Sequence, residues 1–384
     1  MNQLQLYTRR SAMLVLLALT FSAVATAQTE AETPRFEGMV EVSEVLLDVL
    51  VTDRKGNVVV GLGPEDFLVT EDGEEVPLRG VSFYSNRYLV QEREEVTERR
   101  LSGPAENEIL ADRYFIFFFQ DQQRTGGVVG SRLLRQQLDA ARQAKRWIEE
   151  EMLGGDWVAV VSYDVKLHVH SDFSRDRSVL LRAVEDAARS KNADNQWASR
   201  RPDAATLGDR PTLLTSLPQG KELSKQTRRM YDAFELIGEA TREILGRKNV
   251  MFFANGFGNL ERVAGRGIDG ITARPDQRYW PEMVESLNDN NVAVYPIDLS
   301  PSYTDHPQAD FLSHLADTTG GKYYENFVSF LTPMRQIADE ANGYYLLSYP
   351  ASHPADQSGY REVEVTTVNP EFKVRARQGY RYGV

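Results

Sequence analysis

The chain has 384 residues, 41% of them hydrophobic, a formal net charge of −12 and no cysteine. The length allows two or three domains, and a mean hydropathy of −0.43 excludes a multi-span membrane protein. The lack of cysteine excludes a disulfide framework, thiolate zinc, iron–sulfur clusters and thiol catalysis, and the acidic balance argues against nucleic-acid binding, which needs a basic footprint.

At the N-terminus, Arg9 and Arg10 precede an apolar run over 13–25, and Ala25-Thr26-Ala27 forms a small-x-small site. This order predicts a signal peptide over 1–27, cleaved after Ala27. The run is shorter than the ~20 apolar residues of a bilayer span. The protein is therefore expected to be secreted or periplasmic, with no transmembrane segment after leader removal.

Residues 34–90 predict a small β module. Val40 and Val42, then Val45, Leu47, Val49 and Val51, recur at the period of two of a half-buried strand. Residues 53–57 supply a turn, and 58–60 resume the strand as a hairpin. Further strands are expected over 67–70, 76–78 and 81–84. Residues 91–111 mix both charge signs around Gly103-Pro104 and predict a solvated linker.

Residues 112–342 alternate strand and helix. The run 114–119 is apolar on both faces, as a buried parallel strand requires. A helix over 131–153 turns Leu134, Leu138, Ala141, Ile148 and Met152 inward. Strands follow over 157–162 and 165–169, then a helix over 176–189. Residues 190–221 are aperiodic, a loop of functional or disordered length. Helices over 224–245, 280–290, 310–318 and 328–341 alternate with strands over 249–254, 292–297 and 322–324. The pattern predicts an α/β fold: a doubly wound, mostly parallel sheet with helices on both faces. Residues 343–384 add strands over 344–349, 360–368 and 372–380. These are expected to extend a sheet or to pack with 34–90 as a small β-sandwich module.

Open α/β sheets bind ligands beyond the carboxyl ends of their strands. The first buried strand ends in Gln120-Asp121-Gln122-Gln123-Arg124-Thr125-Gly126-Gly127, which puts Asp121 at a strand tip with Gln123 and Thr125 behind it. This arrangement resembles the von Willebrand factor A fold, a Rossmann-like domain whose first strand ends in a cation-binding Asp-x-Ser-x-Ser motif. The chain is most similar to the secreted bacterial VWFA-related domain proteins. Val49-Leu50-Val51-Thr52-Asp53, Glu65-Asp66-Phe67 and Glu71-Asp72-Gly73 resemble that branch's N-terminal module. Met230-Tyr231-Asp232-Ala233 and Gly246-Arg247-Lys248 resemble parts of its A domain, and Tyr344-Tyr345-Leu346-Leu347-Ser348-Tyr349 resembles its C-terminal strands. The resemblance implies a secreted, non-enzymatic binding or adhesion-type protein acting on a protein or cell-envelope partner.

The same resemblance implies a metal-ion-dependent adhesion site, but a degenerate one. Gln123 stands where the motif has serine, Thr125 replaces the second serine, and Ala254-Asn255-Gly256 stands where the family has Ser-Asp-Gly. Near the usual threonine the chain reads Thr227-Arg228-Arg229-Met230, with arginine at the best-aligned position. Carboxylate and hydroxyl oxygens suit Mg²⁺ or Ca²⁺. Asp121, Gln123, Thr125 and Asn255 are thus the candidate ligands, while the lost oxygens favour a polar tip that only tops the sheet.

Other signals are weaker. Gly126, Gly127 and Gly130 miss the dinucleotide fingerprint, and no Gly-Lys-Ser/Thr follows them. His168 and His170 face the same way on a strand and read as a solvated edge pair. Asp164, Asp298 and Asp305 have no evident base partner. Neither Gly-x-Ser-x-Gly nor His-Glu-x-x-His occurs. A hydrolase-type enzyme on the strand-end surface stays as the alternative. Tyr344-Tyr345 and Tyr380-Arg381-Tyr382 read as β packing.

Overall fold

A computed structural model of the chain describes residues 44–85, 112–122, 127–191, 210–265, 268–300, 308–351 and 358–383. The expected leader over 1–27, the expected linker over 91–111, Gln123, Thr125, Asp305 and residues 192–209 of the long loop lie outside the described residues.

β1 (Glu44–Thr52) buries Val45, Leu47, Val49 and Val51 as expected, but Asp48, Leu50 and Thr52 are buried too, so from Leu47 on the strand is covered on both faces and not half-buried. The expected return strand over 58–60 shrinks to a single bridge between Thr52 and Val58. Two side chains explain the loss. The Asp53 carboxylate gathers the Lys55 and Asn57 amides, and the Tyr345 hydroxyl donates to Val59 O at 3.0 Å and accepts from Leu62 N–H. The segment is thus held by side chains instead of a ladder. β2 (Phe67–Glu71), β3 (Glu74–Glu75) and β4 (Gly80–Ser85) follow.

β5 (Arg113–Gln120) carries Phe115 to Phe119 in full burial. Its odd residues enter one core with α1 (Gly127–Glu150), and its even residues enter another. β6 (Asp156–Tyr163), β7 (Leu167–Ser174), α2 (Arg177–Ala188), α3 (Gly220–Gln226) and α4 (Met230–Ala240) come next. The single helix expected over 224–245 is divided at Thr227. That hydroxyl donates to Leu223 O, ending α3, and accepts the Leu167 N–H of β7. β8 (Lys248–Ala254) leads into a hairpin, β9 (Asn259–Gly265) and β10 (Ile268–Arg274), which the sequence pattern did not signal. Then come α5 (Trp280–Asp289), β11 (Val292–Asp298), α6 (Ala309–Thr318) and α7 (Leu331–Glu340).

The central sheet has the order β11-β8-β5-β6-β7. Four strands are parallel and β7 runs antiparallel at the edge. α1, α2 and α7 cover one face, and α4, α5 and α6 the other. The expected mixed, doubly wound α/β class is the observed one. Of the inward residues expected on α1, Ala141, Ile148 and Met152 are buried and Leu138 is 39% exposed, while Leu133, Gln137, Ala140, Ala144 and Trp147 are buried as well. The helix is rotated so that Trp147 fills the core against Phe115 and Phe117.

β12 (Gly343–Pro350), β13 (Gly359–Thr367), β14 (Lys373–Arg375) and β15 (Gly379–Tyr382) complete the chain. Among the described residues they build two antiparallel sheets with the early strands, ordered β14-β1-β12-β4 and β15-β13-β2-β3. Leu47, Val49, Tyr345, Leu347, Tyr349 and Val363 share the core of this β module. The single strand expected over 372–380 becomes two strands in different sheets. Arg377 holds the crossing by donating to Asn288 O at 2.6 Å and Leu46 O at 2.7 Å. Among the described residues no helix is long and apolar enough to cross a membrane.

Candidate functional site

The carboxyl ends of the parallel strands carry a connected set of polar side chains. Gln120, the last residue of β5, accepts the Asn255 N–H at Oε1 (2.9 Å) and donates Nε2 to Gly256 O (3.1 Å). One amide thus ties the tip of β5 to the turn after β8. Gln122 donates Nε2 to the same Oε1 at 3.1 Å, and its backbone N–H reaches Gln137 Oε1 at 2.7 Å. Gln137, fully buried on α1, donates in turn to Ala188 O at the end of α2. On the other side, Asn255 Oδ1 accepts the Ser300 hydroxyl at 2.7 Å. Asp298, ending β11, accepts the Ser300 N–H (2.6 Å) and the Tyr323 hydroxyl (3.0 Å). Desolvation, with Asp298 beside it, holds the Tyr323 phenol well above its ordinary range. A satisfied buried network of this kind is rigid, because each member fixes its neighbour's orientation.

Of the four candidate ligands, Asp121 and Asn255 are described. Asp121 is 9% exposed and anchored by its N–H to Tyr163 O at 2.8 Å. The Asn255 oxygen is engaged by Ser300. Thr227, near the threonine position that the resemblance implies, has its hydroxyl committed between α3 and β7. Arg229 pairs with Asp232 at 2.8 Å and lies 3.9 Å over the Tyr279 ring. A hard divalent cation needs several converging oxygens, preferably carboxylate. The described donors do not fit one: they bring a single carboxylate, an amide oxygen already bonded to a hydroxyl, and a threonine turned to the backbone. Among the described residues no group of three or more His, Asp or Glu could hold a metal.

The histidine pair is not solvated. His168 and His170 are 8% and 6% exposed, with rings 6.2 Å apart. His170 Nε2 meets Ser162 Oγ at 2.8 Å, and His168 Nε2 meets Asp164 Oδ1 at 3.1 Å. Asp164 therefore has the base partner the sequence did not reveal. Burial, with His168 nearby, pushes the His170 imidazole down to about 4. Hydroxyl, imidazole and carboxylate do not form one relay, since the acid meets a different imidazole from the serine. The amide network also escaped sequence reading. Its trace was Gln137, a polar residue in the stripe 133, 137, 140, 144 of α1.

No family model matches the chain, and no curated protein matches it in sequence. The structure is similar to that of an aerotolerance-related membrane protein from Bacteroides fragilis, at 11% identity over 60% of this chain and 98% of that chain, with a TM-score of 0.35. BatB from Bacteroides thetaiotaomicron gives 13% identity over 60% and 98%, with a TM-score of 0.32. Proximal thread matrix protein 1 from the mussel byssus, solved with a zinc-occupied MIDAS motif, gives 11% over 60% and 48%, with a TM-score of 0.35. At these values the functional reading rests on the chain's own residues. They make a mixed α/β protein with a mostly parallel five-stranded sheet and antiparallel sheets that join early and late strands.

Proposed function

We propose that the protein is a secreted, non-enzymatic binding protein of the VWFA-related kind, engaging a protein or cell-envelope partner at the carboxyl ends of its central strands. One observation carries this reading: the strand-end amides and acids are spent on one another, from Gln137 through Gln120 and Asn255 to Asp298. Such a network fixes the strand ends beneath the contact surface, and among the described residues it offers no assembled nucleophile, base and acid. Arg229 and Tyr279 stand beside it, residue types enriched at interfaces. Asp121, Gln123, Thr125 and Asn255 then keep the family's adhesion-site positions while serving partner contact without a cation. The organisation proposed with it is a signal peptide over 1–27, a β module over 34–90, a linker over 91–111, an A-type domain over 112–342 and closing strands over 343–384.

Crosslinking capture from the native envelope tests the proposal. A discrete partner should be retained in chelator and lost on combining Asp121→Ala with Arg229→Ala. Substrate turnover abolished by Asp121→Ala would overturn the binding reading. Calorimetric binding of Mg²⁺ or Ca²⁺ lost in the same variant would overturn the cation-free one.

A further inference from the structure

A second site lies away from the strand tips. Between the β module and the α/β sheet is a cleft of about 1080 Å³, large for a small-molecule pocket. Its lining comes from the turn after β1, the adjoining ends of β4 and β12, and β14 on one side. On the other side it comes from α6, residues 321–325 and α7.

The cleft carries side chains of both charge signs. Lys322, Lys373 and Arg375 share one neighbourhood: desolvation holds the Lys322 ammonium below the ordinary lysine range, Glu340 opposes that, and Arg375 and Lys373 add to it. The nearby carboxylate is committed, because Glu340 Oε1 takes Arg375 Nη2 at 2.6 Å. Arg375 Nη1 and Glu340 Oε2 have no hydrogen-bond partner among the described residues, but both atoms are sealed from solvent. Lys322 stands 4.7 Å from the Tyr324 ring, whose buried hydroxyl is also unpartnered.

Acidic residues line the same cleft: Asp317 on α6, Glu325 three residues after Lys322, and Asp339 on α7. The charges at the mouth contributed by the β1 turn are largely spent. Asp53 is bonded by the Lys55 and Asn57 amides at 2.8 Å, and Arg54 pairs with Glu371 at 3.2 Å. A simple anion would gain from the cations but face the acids, and a simple cation the reverse. A ligand carrying both charges a short distance apart complements both. We propose that this cleft binds a zwitterion of the amino-acid or short-peptide class. Its carboxylate is received by Lys322 and Lys373, and its ammonium faces Asp317, Glu325 and Asp339.

Titration calorimetry of the full chain with trialanine tests this, beside N-acetylated trialanine, trialanine amide and inorganic phosphate. The free-ended peptide should bind saturably, one per chain, and blocking either end should weaken it at least tenfold. Lys322→Met combined with Lys373→Met should abolish binding while leaving the melting temperature unchanged, because both side chains are exposed. The proposal is overturned if trialanine fails to bind, if binding survives the double substitution, or if phosphate binds as tightly as the peptide.

Discussion

His170 is neutral in the folded protein because burial pushes its imidazole down to about 4, against an ordinary 6.5. The unfolded chain takes up a proton on this residue between those values, and the folded chain does not. Stability from this group is therefore complete above about pH 6.5 and falls as pH drops toward 4, by up to about 3 kcal/mol. Thermal melts at pH 7 and 4.5 should show a smaller acid loss in His170→Gln than in the parent, and an equal loss would refute the assignment. The spacing of His168 and His170 was legible as two rings on one strand face. Their burial was not, because it depends on how α2 covers the edge strand. Asn255 was legible as a departure from a carboxylate, but the Ser300 hydroxyl on its oxygen comes from a different strand end.

Whole elements were read well where a period ran long. β5, β6, β8 and β11 are apolar on both faces, and only a covered parallel sheet uses such strands. Short or divided elements were not legible. Residues 259–274 have scattered apolar positions, and β9 and β10 pair only with each other among the described strands. The contact between α4 and α5 depends on a residue with no side chain. A Cβ on Gly238 would lie 2.6 Å from Ser286 Oγ and 2.9 Å from Ser286 O. The serine cannot simply swing away, since its hydroxyl donates to Glu235 O at 2.8 Å. Gly238→Ala should therefore destabilise by about 1–3 kcal/mol through overpacking, despite alanine's helix preference of about 1 kcal/mol. Denaturant melts would show a lower midpoint, and a raised midpoint would mean that the helices part freely.

At the scale of the whole molecule, one buried ion pair joins the two ends of the α/β region. Arg113 begins β5 and bonds both oxygens of Asp156 at 2.6 and 2.7 Å. It also donates to Ala338 O in α7 and to Asn342 Oδ1 just before β12. The two side chains are 4% and 0% exposed. Arg113→Ala leaves a carboxylate buried and unpaired, so it should cost about 3–5 kcal/mol, with less loss when Asp156→Asn accompanies it. Equal losses in single and double variants, measured by denaturant unfolding, would show that the pair is not coupled. The position of Arg113 before an aromatic strand gave no hint of this role, because all its partners are distant in sequence. The pairing of early with late strands has a consequence for the order in which the chain matures. Val45 lies opposite Tyr349 and Leu47 opposite Leu347, partners about 300 residues apart. Contacts so distant form slowly, and β1 has no neighbour on this side until β12 has been synthesised. During that interval its apolar edge is open to other chains. β1 thus stays uncovered until the closing strands arrive, and a product that ends before β12 would carry it unprotected.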